Sequence, residues 1–221
     1  MTRPVVSRVI KAATHGRYLL QVPAQPGAAS LIVGFHGYAE TAETQMERLA
    51  SIPGAERSVL VSIQGLHRFY IGRSAGRVAA SWMTAQDREL AIADNKTYVE
   101  TVLNEVATEC QVTGQVWYSG FSQGVGMAFR AACASARQVT GVLAVGGDVP
   151  PELDRTQLAR LKRVLLGRGE RDEWYAEAKR AADLTRLNEA GVTVEAPLLD
   201  AAHEWSADFS RLAGAFLEKL S

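Results

Sequence analysis

The sequence has 221 residues, a length typical of one domain with a sizeable apolar core, and we expect a single domain over residues 1–221. Its 24 basic and 24 acidic residues balance, so charge gives no reason to expect a nucleic-acid or acidic-membrane partner. The two cysteines, Cys110 and Cys133, form no Cys-x-x-Cys unit and indicate neither a disulfide framework nor a metal site.

The amino-terminal residues are basic and contain no apolar run of about seven residues or more. Secretory signal peptides and membrane anchors both require such a run. We therefore expect a soluble cytoplasmic protein without a membrane span.

The first third of the chain predicts four strands and one helix. Residues 5–12 and 17–22 flank a Thr-His-Gly turn and predict an antiparallel hairpin. Residues 31–33 and 59–63 are short, continuous apolar runs, which are typical of parallel strands covered on both faces. A helix is predicted between them, from Thr41 to the Pro-Gly pair at residues 53–54.

Residues 64–85 show little regular periodicity and contain no acidic residue, and we predict a long irregular loop there. Loops of this length in compact domains more often serve a function than merely link two elements. The loop carries one histidine, one methionine, three aromatic residues and three arginines: His67, Arg68, Phe69, Tyr70, Arg73, Arg77, Trp82 and Met83.

In the remaining chain, strands alternate with helices. A long helix is predicted from Asp87 to Cys110, with one apolar stripe, and strands are predicted at residues 142–145, 164–166 and from 192. Helices are predicted at about residues 174–189 and again from residue 209. This alternation predicts an α/β fold with a mostly parallel sheet and helices on both faces, in which the loops after the strands carry any site.

The pattern Gly-x-Ser-x-Gly occurs twice, around Ser74 and around Ser122. Ser74 has no apolar strand before it and no clear helix after it. Ser122 follows the apolar residues 116–118 and precedes a run of small residues at helical spacing. This context predicts a strand, a sharp turn and a helix that together present the Ser122 hydroxyl as a nucleophile.

A serine nucleophile needs a base, and the base needs an orienting carboxylate. His203 follows the last predicted strand, and Asp172 follows the strand before it, which gives the chain order Ser, Asp, His. We therefore expect Ser122, Asp172 and His203 to form a catalytic triad. Alternatives remain open: His203 as a surface histidine, Asp148 as the carboxylate, or Asp172 as the cap of the helix predicted from Trp174.

The oxyanion that forms during acyl transfer needs two backbone N–H donors. We expect one from Gln123, the residue after the nucleophile, and one from Tyr38, which follows His36-Gly37 at the end of the second predicted strand. His36 is expected to support this loop from beneath rather than to act as a base.

We expect the aromatic side chains of the long loop, Phe69, Tyr70 and Trp82, to line an apolar wall for the substrate. The alternative is a solvated loop whose aromatic side chains pack on the core. Its three arginines, Arg68, Arg73 and Arg77, either attract a carboxylate or phosphate of the substrate or lie solvated on the surface.

Four segments together resemble the small carboxylesterase and phospholipase family that includes the acyl-protein thioesterases: residues 34–37, 120–124 and 169–172, and His203. The resemblance spans nearly the whole chain and implies a compact α/β-hydrolase fold without a large cap domain. It also implies activity on esters or thioesters, without a cofactor. The chain differs from the family pattern at Tyr38, where a bulky residue follows His-Gly.

The sequence therefore predicts a serine carboxylesterase or thioesterase that acts on a small ester substrate through an acyl-enzyme on Ser122. A non-hydrolytic small-ligand-binding protein on the same fold is the alternative, because a fold alone does not fix an activity.

Overall fold

The computed structural model describes residues 3–72 and 76–219. Two residues named above, Arg73 and Ser74, lie outside this range. The described part contains ten strands: β1 (Arg17–Gln21), β2 (Ala29–Phe35), β3 (Val59–Gln64), β4 (His67–Ile71), β5 (Arg77–Ser81), β6 (Val112–Phe121), β7 (Val139–Val145), β8 (Arg163–Gly169), β9 (Thr193–Glu195) and β10 (Leu198–Leu199).

Six α-helices are present in the same residues: α1 (Ala42–Ala50), α2 (Arg88–Glu109), α3 (Gln123–Ala134), α4 (Arg155–Leu158), α5 (Glu177–Glu189) and α6 (Ala207–Glu218). A short 3-10 helix, Ala55–Arg57, precedes β3. The long helix predicted from Asp87 is confirmed, with Asp87 as the residue before its first turn.

The main sheet has the strand order β1-β3-β2-β6-β7-β8-β10, and β9 pairs with the first half of β8. All pairs except β1 with β3 are parallel, which confirms the mostly parallel sheet. Side chains alternate between the faces, so Val33 joins a core with α2, α3 and α5, whereas Ile32 joins a core with α1 and α6. Helices therefore cover both faces, as predicted.

The amino-terminal antiparallel pair is present, but its partner differs from the prediction. β1 pairs with β3, whereas residues 3–16 form neither strand nor helix and their side chains are exposed. β3 is the edge strand of the parallel sheet, and its unpaired backbone groups are a better partner for β1 than a short local segment. The predicted strand at residues 5–12 is wrong.

The predicted long loop after β3 is also wrong in part, because β4 and β5 form a separate antiparallel hairpin. Phe69, Tyr70 and Ile71 in β4 are residue types that favour strands, and β5 is anchored because its last three residues, 79–81, are buried. The hairpin is joined to the loop after β2: the Ala39 N–H donates to the Ala80 carbonyl (3.0 Å), and the Ala80 N–H donates to the Glu40 carbonyl (2.9 Å).

Candidate active site

Ser122 lies in a sharp turn between the end of β6 and the start of α3. Its φ and ψ angles are 52° and −121°, a region that L-residues rarely adopt and that commonly marks functional sites. Glycine is required on both sides of Ser122: a Cβ on Gly120 would lie 2.4 Å from the Gly124 carbonyl oxygen, and one on Gly124 would lie 2.1 Å from the Phe35 carbonyl oxygen. The local sequence thus forces the serine side chain outward at the carboxyl end of the sheet.

The structure brings Ser122, His203 and Asp172 into one hydrogen-bonded row. Ser122 Oγ lies 2.9 Å from His203 Nε2, and His203 Nδ1 lies 2.9 Å from Asp172 Oδ2. Because the carboxylate accepts, Nδ1 carries the proton and Nε2 is left to accept the serine hydroxyl. This is the tautomer in which a histidine can take a proton from serine.

Asp172 is buried, and both of its carboxylate oxygens are used. Oδ2 accepts from His203, while Oδ1 accepts the backbone N–H groups of Trp174 and Tyr175, each at 2.9 Å. Asp172 does not cap the following helix, since α5 begins only at Glu177. Asp148 is exposed on the loop after β7 and, within the described part of the chain, forms no hydrogen bond with His203.

The His203 ring lies near two aromatic side chains and is 24% exposed. Its centroid lies 5.1 Å from that of Phe121 and 6.4 Å from that of Trp174. Gly146, with φ of 69°, provides the necessary room, because a Cβ there would approach His203 Cε1 to 3.3 Å and Asp172 Oδ2 to 3.4 Å.

His36 lies fully buried beneath the loop after β2. Its Nε2 accepts the Gly65 N–H at 2.9 Å, so its Nδ1 carries the proton and donates to the Gly37 carbonyl at 2.7 Å. Burial lowers the pKa of His36, which keeps the ring neutral at neutral pH. Both ring nitrogens are therefore committed to the loop, in agreement with the supporting role expected for this residue.

Glu40 ties down the same loop, a role that the sequence analysis did not assign to it. Its Oε2 accepts the Gly37 N–H at 2.7 Å, and Arg48 donates to both carboxylate oxygens at 2.6 and 2.7 Å. Burial opposes the charged form, but the Arg48 hydrogen bond and charge outweigh it and lower the pKa of Glu40. The Arg48 guanidinium also lies 4.2 Å from the centre of the Phe121 ring.

Of the two expected oxyanion donors, Gln123 directly follows Ser122 at the start of α3, and Tyr38 lies in the loop after β2. Neither the Tyr38 nor the Gln123 N–H has an acceptor within hydrogen-bonding distance among residues 3–72 and 76–219. The Gln123 side chain is held by two hydrogen bonds: its Oε1 accepts the Trp82 N–H at 3.0 Å, and its Nε2 donates to the Met83 carbonyl at 3.1 Å. The geometry thus leaves two backbone N–H groups for a substrate oxygen.

The three aromatic residues expected to contact substrate occupy different environments. Phe69 is partly exposed and stacks on Tyr38, with ring centroids 5.6 Å apart, and Tyr70 is exposed on the hairpin. Trp82 is fully buried, and its Nε1 donates to the His36 carbonyl at 2.8 Å. Since its ring packs on Phe35 and its polar edge is satisfied, Trp82 supports the loop rather than lining the site.

The hairpin arginines lie at the surface. Arg68 donates to the His15 carbonyl at 2.6 Å, and Arg77 is exposed. The described residues contain no group of three or more His, Cys, Asp or Glu side chains that could hold a metal ion. The helices among them include none with both the length and the apolar character of a membrane span.

A family model described as phospholipase/carboxylesterase matches residues 19–221. The chain belongs to this family. The membership predicted from the sequence motifs is therefore confirmed, and with it the α/β-hydrolase fold. No curated protein sequence matches the chain.

Solved structures of the family share the fold at low sequence identity. A carboxylesterase from Mesorhizobium loti is 19% identical over 92% of this chain and 94% of its own, with a TM-score of 0.74. The Bacillus cereus carboxylesterase is 14% identical over 93% and 95%, with a TM-score of 0.72. SOBER1 from Arabidopsis thaliana is 16% identical over 87% and 99%, with a TM-score of 0.70. Like them, the described chain carries no large cap domain.

Proposed function

We propose that this family member is a serine hydrolase that cleaves small carboxylic esters or thioesters through an acyl-enzyme on Ser122. The observation that carries the proposal is the continuous row from Ser122 Oγ through His203 to Asp172, with both hydrogen bonds at 2.9 Å. Membership of a phospholipase/carboxylesterase family supports the reaction class.

In the acylation step, Ser122 Oγ attacks the carbonyl carbon while His203 Nε2 takes the hydroxyl proton. The carbonyl electrons move to oxygen, where the Tyr38 and Gln123 N–H groups stabilise the negative charge. The charge of Asp172 stabilises the imidazolium. His203 then returns the proton to the leaving oxygen or sulfur, the acyl–heteroatom bond breaks, and the alcohol or thiol departs.

In the deacylation step, water takes the place of the leaving group. His203 removes a proton from the water, the hydroxide oxygen adds to the acyl carbon, and the same two N–H groups hold the new oxyanion. The intermediate collapses, His203 protonates Ser122 Oγ, and the carboxylic acid leaves. The two steps use only Ser122, His203 and Asp172 and the backbone N–H groups of Tyr38 and Gln123.

The test is covalent labelling with a small alkyl fluorophosphonate, compared between the wild type and Ser122→Ala. We expect one label per chain on Ser122 and none on the variant, together with turnover of p-nitrophenyl acetate and butyrate by the wild type only. Labelling that persists in Ser122→Ala contradicts the assignment. An unlabelled wild type that turns over no short ester supports the non-hydrolytic alternative.

A further inference from the structure

Three large aromatic side chains in the described part of the chain are more than half exposed. They are Tyr38, Tyr70 and Trp174, at 60%, 64% and 76%. The other three tryptophans are buried or partly buried. A tryptophan that is three-quarters exposed is uncommon, because burying an indole is strongly favourable. Trp174 has no structural reason to stand in solvent.

The position of Trp174 is fixed by its backbone. Its N–H donates to Asp172 Oδ1 at 2.9 Å, and its carbonyl accepts from Lys179 Nζ at 3.3 Å. The next residue, Tyr175, is buried and donates its own N–H to the same carboxylate oxygen. These hydrogen bonds hold the backbone that carries the indole, and the indole ring centre lies 6.4 Å from that of His203.

The reaction geometry decides which part of a substrate passes this indole. The carbonyl oxygen lies toward Tyr38 and Gln123, whereas the leaving oxygen or sulfur must reach His203 Nε2, because it receives the proton there. The ring centres of Phe121 and Trp174 lie 5.1 and 6.4 Å from that of the imidazole, and of these two rings only Trp174 is exposed. A leaving group that extends from His203 toward solvent is therefore expected to pass Trp174, while the acyl chain extends elsewhere from the carbonyl carbon.

We propose that Trp174 is a specificity-determining residue that contacts the leaving group and favours esters or thioesters of planar, aromatic alcohols or thiols. The inference rests on the proposed hydrolase function. An exposed, preorganised indole offers a flat face on which a planar ring can stack. A saturated leaving group of similar size gains less from that face.

The test holds the acyl group constant and varies the alcohol. Acetates of 2-naphthol, phenol, cyclohexanol and ethanol are compared in the wild type, Trp174→Ala and Trp174→Phe, with Glu173→Ala as a control for the loop. We expect Trp174→Ala to reduce kcat/KM about 10-fold for the naphthyl ester and less than about 2-fold for the ethyl ester. Trp174→Phe is expected to retain most of the aryl preference, and Glu173→Ala all of it.

Two further measurements separate this role from an effect on the triad. All four acetates form the same acetyl-enzyme, so the deacylation rate is expected to be unchanged in Trp174→Ala. Labelling by the alkyl fluorophosphonate, which expels only fluoride, is likewise expected to proceed at the wild-type rate. Trp174→Ala is expected to reduce kcat/KM by the same factor for the acetate, butyrate and octanoate of 2-naphthol.

Several outcomes overturn the inference. Equal losses for all four alcohols, with slower labelling, would show that Trp174 acts only by holding His203. A loss that grows with acyl length would place it on the acyl side, and an unchanged aryl preference in an active Trp174→Ala would remove the contact. An inactive, unlabelled wild type would refute the hydrolase proposal itself, which is a distinguishable result.

Discussion

His203 can act on Ser122 only in one ring orientation, and two neighbours favour it. Asp172 fixes the tautomer through a 2.9 Å hydrogen bond, and the Phe121 ring packs beside the imidazole with its centre 5.1 Å away. The carboxylate is itself held by two backbone N–H groups, so a side chain that would otherwise sample several rotamers is confined before a substrate arrives. This preorganisation favours proton transfer without further rearrangement.

Glu40 provides a prediction at this scale. Its two oxygens face only donors, the Gly37 N–H and the Arg48 guanidinium, so the amide of Glu40→Gln must turn its NH₂ group toward one of them. We expect the loop that positions the Tyr38 N–H to become less rigid. As a result, kcat should fall about 10-fold while KM stays within about 2-fold of the wild-type value. Steady-state kinetics on one short ester measure both. Glu43→Gln is the matched control, since Glu43 pairs with Arg17 away from Gly37.

The same variant tests the charge of Glu40. Its folded pKa lies below the ordinary value of 4.5, because Arg48 outweighs the effect of burial. The charged pair therefore stabilises the fold above about pH 4.5, and this contribution is lost as the pH falls further. The difference in Tm between wild type and Glu40→Gln should be constant above about pH 5 and shrink below pH 4.5. A difference that grows on acidification, or a KM effect without a kcat effect, would refute the role.

The positions of single residues were predictable where side-chain chemistry and strand ends coincide. Ser122, Asp172 and His203 each follow a strand, and the parallel sheet gathers those ends. The positions of Trp82, Glu40 and Trp174 depend instead on burial and on contacts between distant segments. The sequence left Trp82 either lining a substrate wall or packed on the core, and only its contacts decide: its carbonyl accepts from Asn95, and its indole N–H donates to the His36 carbonyl.

At the scale of the elements, the close contact between α3 and β2 positions the nucleophile. Gly124, in the first turn of α3, lies directly on the backbone of residues 35 and 36, so that only a glycine allows the helix to start there. The same contact sets the distance from Ser122 to the loop that carries Tyr38. The glycine is thus required by the packing of two main chains rather than by a turn.

Gly124→Ala should therefore destabilise the protein. The added methyl group would lie 2.1 Å from the Phe35 carbonyl oxygen, and neither backbone can move without displacing the sheet. We expect the free energy of unfolding to fall by about 3 kcal/mol, measured by urea denaturation. Gly114→Ala, on β6, is the control, because nothing lies within 4 Å of its added Cβ. Equal stabilities for the two variants would be inconsistent with this packing.

Some elements could be predicted from local sequence patterns, whereas others depend on contacts between residues far apart in sequence. Continuous apolar runs predicted β2, β3, β7 and β8, because a strand buried on both faces has to be apolar throughout. The pairing of β1 with β3 joins residues far apart in sequence, and no local pattern selects that partner over residues 5–12. The predicted start of α5, at about residue 174, is too early, because Trp174 and Tyr175 donate their N–H groups to the Asp172 carboxylate before the helix begins.

At the scale of the whole molecule, the sheet order explains why the triad residues meet. Ser122 follows β6 and Asp172 follows β8, two positions away, while His203 follows β10, the neighbour of β8. All these strands are parallel, so their carboxyl ends share one edge. The side chains then reach across β7, whose own following residue, Gly146, leaves the space open.

The amino-terminal boundary of this unit gives the last prediction. The family match begins at residue 19, and apolar side chains at Val5, Val6, Val9 and Ile10 are exposed. The His15 carbonyl accepts from Arg68, and the Arg17 N–H and carbonyl both bond the partly buried Tyr98 hydroxyl, at 2.8 and 2.7 Å. Removing residues 1–10 should therefore leave activity unchanged and Tm within about 2 °C of the full chain.

Removing residues 1–17 should have a different effect, because it leaves the Tyr98 hydroxyl without either backbone partner and shortens β1. Each lost hydrogen bond contributes about 0.5–1.5 kcal/mol, so the two together correspond to a fall in Tm of several degrees for a chain of this size. Tyr98→Phe in the full chain removes the same hydrogen bonds but leaves β1 complete, and should cost less. If the shorter truncation already lowered Tm as far as the longer one, residues 1–10 would belong to the folded unit.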